Sequence, residues 1–222
     1  MVSPDNLLRR EMLLAGGAAL ASVILSDVQI VADPITKQAR LLPRAADVPA
    51  GTNLGVVMKL PPQYRTRNWG GGSCVHASCV SLLRWNGLME LADWWRRTYS
   101  GGEYDTRLVQ RLEAAGVRYA FAYGGDDANR DGRDDGEEFL RWCIRTRRGA
   151  GIFYKPQHSI NLVGMDTRYA YLLDNNATDY PERTGSYEKV PLATFFRAWH
   201  GFGGFAWTLV YDPPPEAPWA RS

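Results

Sequence analysis

Three side chains in this sequence could together carry out nucleophilic acyl chemistry: Cys74, His158 and Asp174. Cys74 stands in the stretch "RNWGGGSCVHASCVSLLRWNG", where three glycines and a serine run straight into apolar residues recurring at helical spacing. The pattern predicts a helix that begins at the cysteine and stops at Asn86-Gly87. A helix N-terminus offers unpaired N–H groups and the positive end of the helix dipole. Both favour the thiolate, which is the nucleophilic form. The glycines let backbone approach a substrate closely. His158 opens the apolar run "HSINLVGM" and Asp174 ends the next one, "YAYLLD". If the two runs form a hairpin, the carboxylate lies beside the imidazole, where it would fix the tautomer and stabilise the imidazolium. The bland alternatives are a plain buried helix cysteine and a packed strand histidine.

The remaining cysteines and histidines point elsewhere. Cys79 and Cys143 lie within apolar helical patterns and read as buried or structural, with a disulfide between them left open. No pair shows the CxxC or HxxxH spacing of a zinc site. His76, two residues after Cys74 on the same helix, would point away from the thiol and reads as packing or substrate contact. A second motif, "DANRDGRDDGEE", matches the twelve-residue calcium loop. Its ligands would be Asp127, Asn129, Asp131, the Arg133 carbonyl, Asp135 through water, and Glu138, with Gly132 at the turn. The competing reading is a solvated acidic turn between a strand and a helix. Calcium bound there would be structural, since hard oxygen ligands do not activate a thiol, and catalysis itself requires no cofactor.

The elements that must position these groups follow in a definite order. Helical patterns cover "CVHASCVSLLRW", "LMELADWWRRTY" and "YDTRLVQRLEAAG", the last with Asp105 or Thr106 as its cap. "VRYAFAY" alternates as a strand, and "EEFLRWCIRT" is a fourth helix. "GIFY", "SINLVGM" and "AYLLDN" are short strands, "PLATFFRAW" is a helix, and "GFAWTLVY" is a last strand. Helices first and strands mostly after them argue an α+β fold rather than a doubly wound parallel sheet.

The chain has 222 residues, 45% of them hydrophobic, enough for one domain with a real core. Net charge is +2, which gives no electrostatic reason to expect nucleic acid as a partner. Residues 1–26 read as an export signal: Arg9-Arg10 precede an apolar run from Met12 to Leu25, and "ALAS" offers a small-residue cleavage site. The paired arginines resemble a twin-arginine export signal, with Glu11-Met12-Leu13 following in place of the usual x-Phe-Leu. An N-terminal amphipathic helix and an uncleaved anchor are the alternatives. The run is too short to span a bilayer comfortably, so no stable membrane insertion is expected beyond this segment. Residues 27–60 read as an extended lead-in, 61–212 as the folded domain and 213–222 as a Pro-rich tail.

"GGSCVHAS" resembles the active-site segment of papain-like cysteine peptidases, in which glycine-serine-cysteine heads the central helix. That family carries a glutamine six residues before the cysteine as an oxyanion donor. Here the position holds Asn68, one methylene shorter, with Gln63 a distant substitute. Its histidine opens a strand and its orienting residue follows about sixteen later, as Asp174 follows His158 here. An aspartate in that role and only 84 positions between Cys74 and His158 are similar to the compact bacterial branch, the bacteriocin-processing (C39-like) peptidase domains. That branch's cysteine-glycine-proline-alanine is replaced by Cys74-Val75-His76-Ala77. The closing "LATFFRAWHGFGGFAWTLV" also resembles it, and the likeness runs over roughly residues 63–211 in motif order and spacing.

The resemblance implies a papain-like fold, with an N-terminal helical lobe whose cysteine helix packs on an antiparallel sheet lobe carrying His158 and Asp174. It implies an exported, periplasmic or extracellular cysteine hydrolase acting on a peptide or protein substrate through a thioester. A catalytically inactive peptide-binding relative and a transglutaminase-like acyltransferase are the alternatives. The oligomeric state is not readable.

Overall fold

A computed structural model describes residues 55–125, 132–176 and 187–211. The chain begins with a short strand, β1 (Gly55–Val56), and a 3-10 turn (Pro62–Tyr64). Three helices follow: α1 (Cys74–Trp85), α2 (Met89–Thr98) and α3 (Asp105–Ala114). Then come β2 (Tyr119–Tyr123), α4 (Asp135–Arg145), β3 (Ala150–Lys155), β4 (His158–Met165), β5 (Tyr169–Leu173), β6 (Glu188–Pro191), α5 (Leu192–Gly201) and β7 (Phe205–Leu209). The fold is α+β, as expected.

The strands form one antiparallel sheet in the order β2-β7-β3-β4-β5-β6, with β1 paired to the far end of β4. Alternate residues of each strand face opposite sides, and each side has its own core. Phe153, Val163, Leu173, Phe205 and Trp207 face the first three helices, where Val75, Cys79, Leu82, Leu83 and Trp95 complete the packing. Ile152, Tyr154, Ile160, Leu162 and Leu172 face α4 and α5, meeting Phe139, Leu140, Phe195 and Trp199. The sheet is therefore covered on both faces, and its second covering layer comes from the two late helices.

Two local expectations are corrected. Residues 55–60, expected in the lead-in, belong to the packed domain: Gly55 and Val56 pair with Met165 and Gly164, and Met58 and Leu60 are fully buried. The α3 helix is capped by Tyr104 with no side-chain cap, because Asp105 turns its carboxylate to Tyr123 Oη and the Thr106 amide, both at 2.7 Å. The chain also forms a strand not foreseen, β6, which ends at Pro191, the N-cap residue of α5. Among the described residues no helix is long and apolar enough to cross a membrane.

Candidate active site

The α1 helix starts at Cys74, with Ser73 as its N-cap residue. Ser73 makes no side-chain cap to the helix. Its Oγ instead accepts from the Gly101 amide at 3.3 Å. Gly72 adopts a φ of 81°, and a Cβ there would lie 2.5 Å from Gly102 N. A side chain at residue 72 would thus keep the 101–102 segment from reaching the bend before Cys74. This is one concrete reason for the glycine run.

His158 follows a two-residue turn, Pro156-Gln157, that joins β3 to β4. Gln157 holds a φ of 53°, a conformation that costs energy for a side chain of this kind and clusters at functional sites. The turn carries two groups to the thiol. The Gln157 carbonyl lies 3.7 Å from Cys74 Sγ, and the Ser159 amide donates to Sγ at 3.4 Å. The His158 imidazole acts electrostatically on the thiol, favouring its ionised form. Its Nε2 lies 2.8 Å from Asp174 Oδ1, which leaves Nδ1 as the nitrogen available to the thiol. The Asn176 amide approaches Nδ1 at 3.4 Å. Asp174 follows β5, the hairpin partner of β4, and also accepts from the Asn176 backbone at 2.8 Å. Lys155 Nζ lies 3.4 Å from its other oxygen.

These contacts set the protonation. Burial works to raise the Cys74 thiol, but His158 and the hydrogen bond from the Ser159 amide outweigh it, and the thiol is lowered. Burial works against the charged form of His158, yet Asp174 and Cys74 raise it to about 9. Burial also opposes the Asp174 carboxylate, but His158, the Asn176 amide and Lys155 lower it to about 2. Together these contacts shift the pair toward thiolate and imidazolium, backed by an ionised carboxylate. By contrast Cys79 and Cys143 are fully buried, unpaired in any disulfide, and pushed up by burial.

A search of solved structures finds this arrangement of helices and sheet in known proteins. A crystal structure of a protein described as a C39-like peptidase from Bacillus anthracis aligns with a TM-score of 0.50 and 16% identity, over 71% of this chain and 98% of that one. A double glycine motif protease from an AMS/PCAT transporter, solved with its leader peptide, aligns with a TM-score of 0.47 and 15% identity, over 72% and 94%. The chain has the papain-like fold of the C39-like peptidases. A scan against models of protein families and a search of curated proteins find no match.

The other expected residues of this papain-like chain fall as follows. Asn68 lies on the segment before α1. Its backbone amide donates to Asn175 O at 2.9 Å, and its Oδ1 accepts from the Gly70 amide at 3.3 Å, so its NH2 group remains to donate. Gln63 is exposed in the 3-10 turn. His76 is a packing residue. It is fully buried, accepts from Trp95 Nε1 at 3.2 Å, stacks on Tyr99 and faces Glu103, which Arg107 and Arg111 also hold. Burial, and Arg111 after it, lower its pKa to about 4 against the pull of Glu103.

Of the calcium-loop residues, Asp127, Asn129 and Asp131 lie outside the described residues. Arg133 pairs with Glu138 at 3.1 Å, and Asp135 is buried in the first turn of α4. Asp134 caps α4 by accepting from the Glu137 amide at 2.9 Å. The serine and asparagine contacts around the thiol, at Ser159, Asn175 and Asn176, have no motif in the sequence, because they depend on backbone meeting backbone across the fold.

Proposed function

We propose that this chain is a cysteine hydrolase that cleaves a peptide or related amide bond, with Cys74 as nucleophile, His158 as acid–base and Asp174 as the orienting carboxylate. The observation that carries the reading is the 2.8 Å contact of His158 Nε2 with Asp174, on the turn whose Gln157 carbonyl and Ser159 amide both reach the Cys74 thiol. Cys74 Sγ attacks the acyl carbon, and the proton held on His158 passes to the departing amine as the C–N bond breaks. The resulting thioester is opened by water, which gives one proton back to His158 and releases the thiolate and a carboxylic acid that then loses its proton to solvent. The free Cys74 backbone N–H and the Asn68 amide are the candidate donors to the oxyanion, a role usually worth more than any other single contribution.

A peptide is the favoured substrate because the fold is one that peptidases use. The Arg9-Arg10 signal leads us to place the protein outside the cytoplasm. The 127–138 loop is proposed to take up calcium for stability, not for chemistry.

The test is turnover of a diverse peptide mixture, read by mass spectrometry. Cleavage is expected from the wild type and not from Cys74→Ala or His158→Ala. A folded wild-type protein with a reduced thiol and no cleavage would overturn the hydrolase reading in favour of peptide binding alone. Trapping of the acyl group by an added amine in preference to water would instead establish acyl transfer.

A further inference from the structure

Asn175, next to Asp174 in sequence, is 3% exposed and touches both elements that have to meet at the thiol. Its Nδ2 donates to Cys74 O at 3.0 Å, on the first turn of α1, and to Ser159 O at 2.9 Å, on β4. Ser78 Oγ lies 3.2 Å from the same nitrogen. Its own carbonyl accepts from the Asn68 amide at 2.9 Å. One residue thus bonds the nucleophile's backbone, the residue after the imidazole, and the segment bearing the candidate oxyanion donor.

The register of the sheet explains why a side chain is needed there. The pairing of β4 with β5 ends at Asn161↔Leu173, so Ser159 has no strand partner on that side. Its amide is spent on Cys74 Sγ and its carbonyl on Asn175. The amide plane of Asn175 has only one usable orientation, because Cys74 O and Ser159 O can only accept and a flip would set oxygen against oxygen. The consequence is that Oδ1 is buried without a partner. A buried orphan acceptor is costly, so its presence marks a position held for geometry rather than for stability alone.

We propose that Asn175 is a positioning residue: it fixes the separation of the Cys74 helix from the His158 strand, and so keeps the thiol against both the imidazole and the Ser159 amide. This rests on the cysteine hydrolase reading. Asn175 touches neither the thiol nor the imidazole and carries no charge. Replacing it by Ala or Ser therefore leaves every titratable group near the thiol in place: His158 on β4, Asp174 after β5 and Lys155 on β3. Any change in thiol reactivity then reports geometry.

The experiment is the pH dependence of iodoacetamide modification of Cys74 in the full chain, for wild type, His158→Ala, Asn175→Ala and Asn175→Ser. Near-ultraviolet circular dichroism establishes that each variant is folded. Serine keeps one donor and is too short to span both carbonyls. The expected result is a fast, His158-dependent wild-type rate that falls about tenfold at pH 6 in either folded Asn175 variant, the loss in thiolate fraction that a one-unit rise in thiol pKa brings. A folded variant with the wild-type profile overturns the positioning role while leaving the hydrolase reading standing. Failure of both variants to fold also overturns it, by making Asn175 a residue of the fold. A slow wild-type rate indifferent to His158→Ala instead brings down the hydrolase reading itself.

Discussion

Nε2 of His158 and Oδ1 of Asp174 lie 2.8 Å apart where the ends of β4 and β5 meet, and Lys155 holds the second carboxylate oxygen from β3. Burial opposes the charge on the imidazole, but this contact and the thiol keep it protonated up to about 9. The folded-state pKa lies above the unfolded value of 6.5. The stability it contributes is therefore fully present below pH 6.5 and is lost as pH rises through about 9. Hydrolysis that needs the imidazolium should show an alkaline limb near the same value. Asp174→Asn removes the charge that raises His158, so the limb in kcat/KM should move to lower pH, and a limb that stays in place would exclude the assignment.

Asn68 has its Oδ1 engaged by the Gly70 amide and its NH2 left to donate. Asn68→Ala should lower kcat by about 10²–10³, the usual loss of one oxyanion donor, with little change in KM. Asn68→Gln, which adds one methylene, should retain most of the activity. An Ala variant with wild-type kcat would show that the oxyanion is held by other groups.

Gly72 is predicted to tolerate no side chain. Its φ of 81° disfavours one, and the Cβ would meet Gly102 backbone at 2.5 Å, where no flexible side-chain end can yield. Gly72→Ala should cost about 1–3 kcal/mol of unfolding free energy in urea. Gly71→Ala, where a Cβ meets nothing within 4 Å, is the matched control and should change stability by less than half as much. Equal effects at the two positions would remove the close-approach argument.

Calcium taken up by the 127–138 loop should raise the melting temperature relative to a chelator. At a hundredfold excess over Kd the gain is about 2.7 kcal/mol. The measurement is a pair of thermal melts. Identical midpoints at millimolar calcium and in chelator would leave only an acidic turn whose Asp134 caps α4.

His76 adds a pH effect of the opposite sense. Burial, aided by Arg111, lowers it to about 4, below its unfolded value of 6.5. Its contribution is present above pH 6.5 and is lost as pH falls toward 4. His76→Gln should flatten the loss of stability between those values in urea unfolding, and an unchanged slope would assign the acid loss elsewhere.

What could be read in the sequence was what local chemistry encodes. The helix at Cys74 was legible from the glycine run and apolar spacing, and the strand starting at His158 from its apolar run. Asp174 was legible because a hairpin makes neighbours of the two strand ends. The short edge strand β6 and the pairing of β1 with β4 were not, since two or four residues carry no period and their partners are remote. Asn175 was invisible for a related reason. It sits in "LLDNNATD", which has every mark of a turn, and only the end of the β4–β5 pairing makes its amide matter. The cap of α4 could have been found: Asp134 followed by Glu137 is a capping pattern, but the calcium motif offered a competing use for the same stretch.

The three cysteines differ in a way that equips the folded protein with a built-in counter. Cys79 and Cys143 are fully enclosed and their thiols are pushed up by burial, while Cys74 alone is lowered. An alkylating tag added to the native chain should therefore arrive once per molecule, and three times after denaturation. The ratio of the two mass increments measures the fraction of any preparation that is folded, with no engineered background and no knowledge of the substrate.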